Sequence, residues 1–141
     1  MRGSWMPKLD DKFRLTLPKK YRFELTDEVT VVCEQERCLG IYAKTVLDAL
    51  MERINSAPST VKEVREYQRW SQHRAEDATP DKQGRITITS LQRLWAGLDR
   101  DVVVIGAGNR LEVWNPDAWV TYAQSLDDKF ADFDGEIYPG R

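Results

Sequence analysis

The order of apolar and polar positions along the chain predicts short strands alternating with short helices. Alternating apolar residues predict strands over 14–17, 29–34, 39–42, 85–88, 102–105 and 110–114. Apolar residues at helical spacing predict helices over 45–55, 60–73 and 90–98, and a further one beginning at Asn115-Pro116-Asp117. Thr45 with Asp48, and Thr60 with Glu63, resemble capping boxes at two of these helix starts. This mixture predicts an α+β fold.

One stretch of sequence occurs twice. Residues 10–18 and 81–89 lie 71 positions apart and share an aspartate, an arginine, a threonine and their apolar positions, and Arg22 falls on Arg93 at the same offset. Such a duplication predicts a pseudo-two-fold domain that presents one arginine-bearing loop twice. We divide the chain into a first repeat (1–57), a connecting helix and linker (58–79), a second repeat (80–126) and an acidic, flexible tail (127–141).

An Asp-x-x-x-Arg box, followed by alternating apolar residues and a short helix and present in two copies, resembles the MraZ family of bacterial transcriptional regulators of the division and cell-wall gene cluster. The resemblance covers about residues 3–126 and includes Leu111-Glu112-Val113-Trp114. It implies a swapped-hairpin β-barrel shared with AbrB-type regulators and assembly into a ring. It also implies repressor activity through binding of short G-rich direct repeats in promoters, the protein's own among them. The family's first box usually reads Asp-x-Lys-Gly-Arg, whereas this chain has Phe13 at the glycine position and keeps Gly84 in the second box.

Charge is distributed unevenly along the chain. The formal net charge is −2, yet residues 1–22 carry seven basic groups against two acidic ones, and residues 126–141 carry two basic groups against five acidic ones. A homo-oligomer that aligns the basic end of every subunit can still bind DNA. The alternative is that Lys19, Lys20 and Arg22 form only the solvated side of a short helix.

The chemistry of the two boxes indicates DNA contact. The aspartate can accept hydrogen bonds from loop amides, and the arginine can hold a phosphate or pair with guanine O6 and N7. The expected DNA contacts are Arg14, Lys12, Lys8, Arg85 and Lys19, and the expected loop-fixing residues are Asp10, Asp81 and Gly84. In the alternative, Arg14 and Arg85 are structural and tied to their aspartates. Arg85 also has acidic neighbours, which favour a role in the fold or in a subunit contact.

The sequence contains no recognisable arrangement of residues for catalysis. Gly106 to Asn109 reads as a hairpin turn, because strand-like alternation follows where a dinucleotide site needs a helix. His73 is the single histidine, and Cys33 and Cys38 are expected to be reduced packing thiols. We therefore expect no enzyme activity, cofactor, metal or small-molecule substrate. The apolar runs are too short for a bilayer, so we expect a cytoplasmic protein. The DNA binding that the resemblance implies adds association with the nucleoid.

Two other classes of function stay open at this stage. An AbrB-like dimeric antitoxin or transition-state regulator would bind DNA through the barrel and use a disordered tail against a toxin, and the acidic tail favours it. A structural protein would form a ring that binds another division component without DNA. Oligomeric state distinguishes the dimeric antitoxin from a regulator that forms a ring. Salt-dependent promoter binding distinguishes that regulator from a structural ring that does not bind DNA.

Overall fold

The computed structural model describes residues 1–135 and 137, and within them the chain forms eight strands and four α-helices. The strands are β1 (Ser4–Trp5), β2 (Arg14–Thr16), β3 (Val29–Cys33), β4 (Leu39–Ala43), β5 (Glu76–Ala78), β6 (Arg85–Thr87), β7 (Val103–Gly106) and β8 (Leu111–Trp114). The helices are α1 (Lys44–Asn55), α2 (Lys62–Gln72), α3 (Ser90–Ala96) and α4 (Pro116–Phe130). The α+β prediction is confirmed. Residues 136 and 138–141 of the predicted tail lie outside the described residues.

Six strands form one antiparallel sheet in the order β1-β7-β8-β4-β3-β5, and β2 pairs with β6 in a separate two-stranded ribbon. Across the described residues the larger sheet ends at β1 and β5. Both edge strands are short, at two and three residues. The pairings therefore leave the sheet open, and they do not close it into the barrel that the resemblance implied.

The two faces of the six-stranded sheet pack against different partners. Alternate side chains of β3, β4, β7 and β8 join the ribbon in one buried cluster that includes Val31, Ile41, Val104, Val113, Leu15, Leu17, Ile86 and Ile88. On the opposite face, Val32 and Tyr42 pack against Leu47 of α1. Val103 and Trp114 pack there with Trp119 and Tyr122 of α4. The ribbon thus lies on one side of the sheet, and α1 and α4 lie on the other.

The helix start predicted at Asn115 is confirmed, the capping boxes predicted at Thr45 and Thr60 are wrong, and a further box that was not predicted caps α3. Asn115 caps α4 by accepting from the amide of Ala118 at 3.0 Å, and Thr89 caps α3 in a reciprocal box with Gln92. Neither Thr45 nor Thr60 caps a helix. Strand β4 runs directly into α1 through Ala43, so the helix begins one residue before Thr45 and leaves it no capping position.

Other differences from the predicted elements concern surface exposure and edge strands. Val46 and Leu50 of the predicted apolar stripe on α1 are exposed, and Leu47 is the buried residue of that helix. Strands β1 and β5 had no signal in the sequence. The predicted turn at Gly106 to Asn109 is confirmed, because β7 and β8 pair as neighbours across it. None of the helices in the described part of the chain is long and apolar enough to span a membrane.

Candidate nucleic-acid interface

The β2–β6 ribbon brings the two arginine boxes together. Its register pairs Arg14 with Thr87, Leu15 with Ile86, and Thr16 with Arg85. The pattern is unchanged when each residue is replaced by its counterpart 71 positions away. Leu15 and Ile86 point into the core, so strand alternation puts the other four side chains on the opposite side of the ribbon. We call this surface, formed by Arg14, Thr16, Arg85 and Thr87, the Arg–Thr face.

Asp10 organises the first loop. Its Oδ1 accepts hydrogen bonds from the backbone amides of Lys12 at 2.9 Å and Arg14 at 2.8 Å, and its Oδ2 accepts from Arg14 Nε at 2.7 Å. The amide of Phe13 donates to the Asp10 carbonyl at 2.9 Å and closes the turn. The Arg14 amide, with the Arg14 guanidinium and the Lys12 amide, holds the pKa of Asp10 below its usual value. The carboxylate thus fixes both the loop backbone and the arginine side chain.

Asp81 does the same in the second loop. Its Oδ1 accepts from the amides of Gln83 and Arg85, both at 2.9 Å, and its Oδ2 accepts from Arg85 Nε at 2.8 Å. Gly84 donates its amide to the Asp81 carbonyl at 2.8 Å. The Arg85 amide, with the Arg85 guanidinium and the Gln83 amide, lowers the pKa of Asp81 in turn.

Each guanidinium is held from one side only. The aspartates take the Nε hydrogens, and no other residue in the described part of the chain accepts a hydrogen bond from the terminal nitrogens of Arg14 or Arg85. Arg85 Nη1 lies 4.0 Å from Asp10 Oδ2, which links the two boxes electrostatically. Both arginine side chains are 28% exposed. The outer edges of two oriented guanidiniums are therefore available to an external acceptor.

Each loop is also bound to the end of the other repeat's strand. The amide of Ile88 donates to the Phe13 carbonyl at 3.0 Å, and the amide of Leu17 donates to the Gly84 carbonyl at 2.8 Å. Both acceptor residues have a positive φ, +56° at Phe13 and +75° at Gly84. Phe13 therefore adopts the left-handed conformation that its glycine counterpart adopts, so the phenylalanine does not change the turn.

The remaining basic residues named by the sequence differ in their charge partners. Lys12, in the first loop, is exposed, and so is Lys19, which begins a single 3-10 turn after Pro18. Lys8 is exposed but lies 3.9 Å from Asp101, which offsets part of its charge. The structure brings Lys12 next to Arg14 within one loop, whereas Lys8 faces an acidic partner from another segment.

Sequence reasoning missed several residues of the site. Thr16 and Thr87 belong to the Arg–Thr face, and the alternation of the ribbon strands was a signal that could have found them. Arg93 had no predicted role, and its counterpart Arg22 was placed only on the solvated side of a short helix, whereas Arg22 is half-buried. Arg22 Nε donates to the Leu17 carbonyl at 3.1 Å, and Arg93 Nη1 donates to the Ile88 carbonyl at 2.6 Å. Each arginine thus supports the end of its own ribbon strand.

The two cysteines belong to the buried clusters of the six-stranded sheet, Cys33 on the face that packs against the ribbon and Cys38 on the opposite face. Cys33 and Cys38 are free, buried thiols, and burial raises the pKa of both. Among residues 1–135 and 137, no group of three or more histidine, cysteine, aspartate or glutamate side chains is arranged to hold a metal ion.

Comparison with known proteins identifies relatives that extend over almost the whole chain. The family model of the MraZ protein, described as antitoxin-like, matches residues 1–70 and 73–135. A protein of Micrococcus luteus called transcriptional regulator MraZ is 41% identical over 138 residues, 98% of this chain and 96% of the relative. Proteins of the same name from Kocuria rhizophila and Kineococcus radiotolerans are each 44% identical over the same shares. With a family match over most of its length and relatives at this identity, the chain belongs to the MraZ family.

Proposed function

We propose that this chain is a sequence-specific DNA-binding transcriptional regulator that uses the Arg–Thr face to contact promoter DNA. The observation that carries the proposal is the pair of guanidiniums on the outer side of a two-stranded ribbon, each oriented through Nε by an aspartate. A two-stranded β-ribbon fits the major groove of B-DNA, where arginine side chains reach base edges. Relatives called transcriptional regulators support the same function.

The chemistry of the face favours guanine. A guanidinium whose Nε is occupied by a carboxylate keeps its terminal nitrogens for two acceptors, and guanine offers O6 and N7 side by side. Thr16 and Thr87 have shorter side chains, whose hydroxyl and methyl groups can contact base edges next to those that the guanidiniums contact. Lys12, Lys19 and Lys8 then supply phosphate contacts around the ribbon. We infer that the target is a short G-rich direct repeat.

One ribbon gives limited affinity, because a bidentate base contact discriminates by only about 1–3 kcal/mol. We infer that several subunits bind spaced repeats together, in a ring built from swapped-hairpin, pseudo-two-fold subunits in which 1–57 and 80–126 are the two copies. Two exposed apolar side chains at counterpart positions support self-association: Phe23 is 90% exposed and Leu94 is 79% exposed. In this arrangement the first repeat of one subunit contacts the second repeat of the neighbouring subunit.

We infer that the assembly represses the promoter of its own operon within the division and cell-wall gene cluster. Occupation of tandem sites by a multivalent ring would block access of the transcription machinery to the promoter. Such a protein acts where promoter DNA is, which places it in the cytoplasm in association with the nucleoid.

The Arg14→Ala variant tests the DNA role. Loss of this guanidinium should abolish retention of promoter DNA in a gel-shift assay, while size-exclusion chromatography shows the assembly of the unchanged protein. Arg53→Ala is the matched control, because Arg53 is an exposed arginine of α1 on the other side of the six-stranded sheet. Undiminished retention by Arg14→Ala would remove Arg14 from the site.

Two measurements on the unchanged protein separate the alternatives. Promoter affinity should fall steeply with salt concentration if phosphates are contacted, and an absence of binding at low salt would eliminate the DNA role in favour of a structural ring. The family description as antitoxin-like keeps a second candidate, a dimeric AbrB-like antitoxin. Light scattering decides between them, since a dimer favours the antitoxin and a large ring favours the proposed regulator.

A further inference from the structure

The two boxes differ at one residue, and the difference changes how the first loop is held. We propose that Phe13 is a positioning residue for Arg14: its ring fastens the first loop to Arg93 and Arg100 and orients Arg14 before DNA arrives. This inference rests on the proposed function, because it assigns Phe13 a role in DNA binding through Arg14. It distinguishes the first box from the second, in which Gly84 has no side chain to serve this purpose.

The backbone of Phe13 is in a conformation that is unusual for phenylalanine. Its φ of +56° lies in the left-handed region, which glycine enters without a steric cost and phenylalanine does not. Gly84, at the counterpart position, has a φ of +75°. The turn thus demands a conformation that disfavours phenylalanine, so other contacts must hold the residue there.

Two arginines of the second half of the chain lie over the Phe13 ring. Arg93 Cζ is 3.7 Å from the ring centroid and Arg100 Cζ is 5.5 Å from it. Arg93 Nη1 donates to the Ile88 carbonyl at 2.6 Å, and Arg100 Nη1 donates to Oδ1 of Asp11, a residue of the same loop as Phe13, at 3.0 Å. Arg93 is thus held by a residue outside the loop, and Arg100 contacts the loop at both Phe13 and Asp11. Together these contacts order the loop.

The second loop shows what the same scaffold does without a ring. Arg22, the counterpart of Arg93, lies directly against Gly84, and a Cβ atom there would come within 2.6 Å of Arg22 Nε. In the second loop the arginine thus occupies the space of the missing side chain. In the first loop it lies on an aromatic face instead, and Arg100 adds a second cation.

The consequence falls on Arg14, the next residue in the chain. The Arg14 amide and Nε both donate to Asp10, and that geometry requires the Phe13 turn. A loop that is already ordered loses less conformational freedom when it binds. Removing the ring should therefore weaken DNA binding without removing a DNA contact, and should leave the number of phosphate contacts unchanged.

NMR of the arginine Nε–H groups tests the positioning directly. In the unchanged protein the Nε–H signals of Arg14 and Arg85 should both be shifted and protected by their carboxylates. In Phe13→Gly the Arg14 signal should broaden or lose protection, while the Arg85 signal stays as it was, because its loop has glycine already. Phe13→Trp should restore the Arg14 signal. An Arg14 signal that is unaffected in Phe13→Gly would overturn the proposal.

Binding to a promoter fragment tests the consequence. Phe13→Gly should bind about fivefold to tenfold more weakly at fixed salt with the same salt dependence, and Phe13→Trp should bind like the unchanged protein. Wild-type affinity of Phe13→Gly, together with loss of binding by Arg14→Ala, would reject the inference and leave the proposed function standing. If Arg14→Ala also binds normally, the proposed function itself fails.

Arg100→Gln is the second variant, because a change at this exposed side chain preserves the fold even if Phe13→Gly does not. It should weaken binding by about twofold to threefold, and combination with Phe13→Trp should not recover the loss. The double variant Phe13→Gly, Arg100→Gln should be no weaker than Phe13→Gly alone. Fully additive losses would show that Arg100 acts independently of Phe13 and would contradict the proposal.

Discussion

The two Asp-x-x-x-Arg loops have the same hydrogen bonds around different residues. In both, an aspartate accepts from two loop amides and from the arginine Nε, with matching distances between 2.7 and 2.9 Å. The residue before the arginine is Phe13 in one loop and Gly84 in the other, yet both adopt a positive φ. The aspartate and the arginine thus make the same hydrogen bonds in both loops, while the contacts of the residue before the arginine differ: Arg93 lies over the Phe13 ring, and Arg22 lies against Gly84.

The loops also differ in the charge around their arginines. Among the residues that the structure describes, Arg14 is paired with Asp10 alone, whereas Arg85 binds Asp81 and lies 4.0 Å from Asp10 as well. Lys12 adds positive charge next to Arg14. The first guanidinium is therefore less neutralised than the second, and we expect it to contribute more to binding an anionic ligand.

Replacing each box arginine with alanine should reduce promoter affinity to different extents. Arg14→Ala should weaken promoter binding by about 100-fold, and Arg85→Ala by about tenfold, because Arg85 is shared between two carboxylates. Fluorescence anisotropy with a labelled promoter fragment at one salt concentration measures both. Equal losses would show that the additional carboxylate near Arg85 has no influence on DNA binding.

An intermediate effect concerns the residue before the second arginine. Gly84→Ala should destabilise the fold by about 1–2 kcal/mol, because alanine is strained at a φ of +75° and its Cβ would approach Arg22 Nε. Urea unfolding measures the change. Gly97→Ala is the matched control: Gly97 has a φ of +61° but its nearest neighbouring atom would be 3.7 Å away.

The control separates strain from crowding at the second loop. Gly97→Ala should lose less stability than Gly84→Ala, and Arg22→Ala in the Gly84→Ala background should recover part of the difference. An identical loss at both glycines would assign the whole effect to backbone strain and would leave Arg22 without a part in it.

The pH dependence of stability tests whether the carboxylates of Asp10 and Asp81 stabilise their loops equally. Both aspartates have a pKa held below the unfolded value of about 3.9, so they stabilise the fold above that pH, and the stabilisation is lost as pH falls through the lower folded value. Asp10→Asn and Asp81→Asn should each have a lower Tm at pH 7. The Tm difference from the unchanged protein should shrink below about pH 4.

Thermal unfolding at pH 7 and pH 3 measures these differences. We expect equal behaviour of the two variants, because the two carboxylates accept from the same set of groups. If the Tm difference between a variant and the unchanged protein is the same at pH 3 as at pH 7, that aspartate stabilises the loop by some means other than its charge.

Local signals in the sequence accounted for much of the fold. Asn115-Pro116 predicted the start of α4 because both its capping bond and its first-turn proline act within four residues. The edge strands β1 and β5 were beyond such reasoning, since their hydrogen bonds come from β7 and β3. Glu76–Ala78 has no apolar alternation of its own, so only the partner strand makes it a strand.

The repeated unit of the site is an aspartate, three residues and an arginine, and it could be recognised from sequence because each aspartate accepts hydrogen bonds from groups within five residues. The pairing of β2 with β6, the approach of Arg85 to Asp10 and the contact of Phe13 with Arg93 depend on the folded chain as a whole. These contacts join residues about 70 or more positions apart. They depend on how a shared core closes around Leu15 and Ile86, and no local pattern encodes that closure.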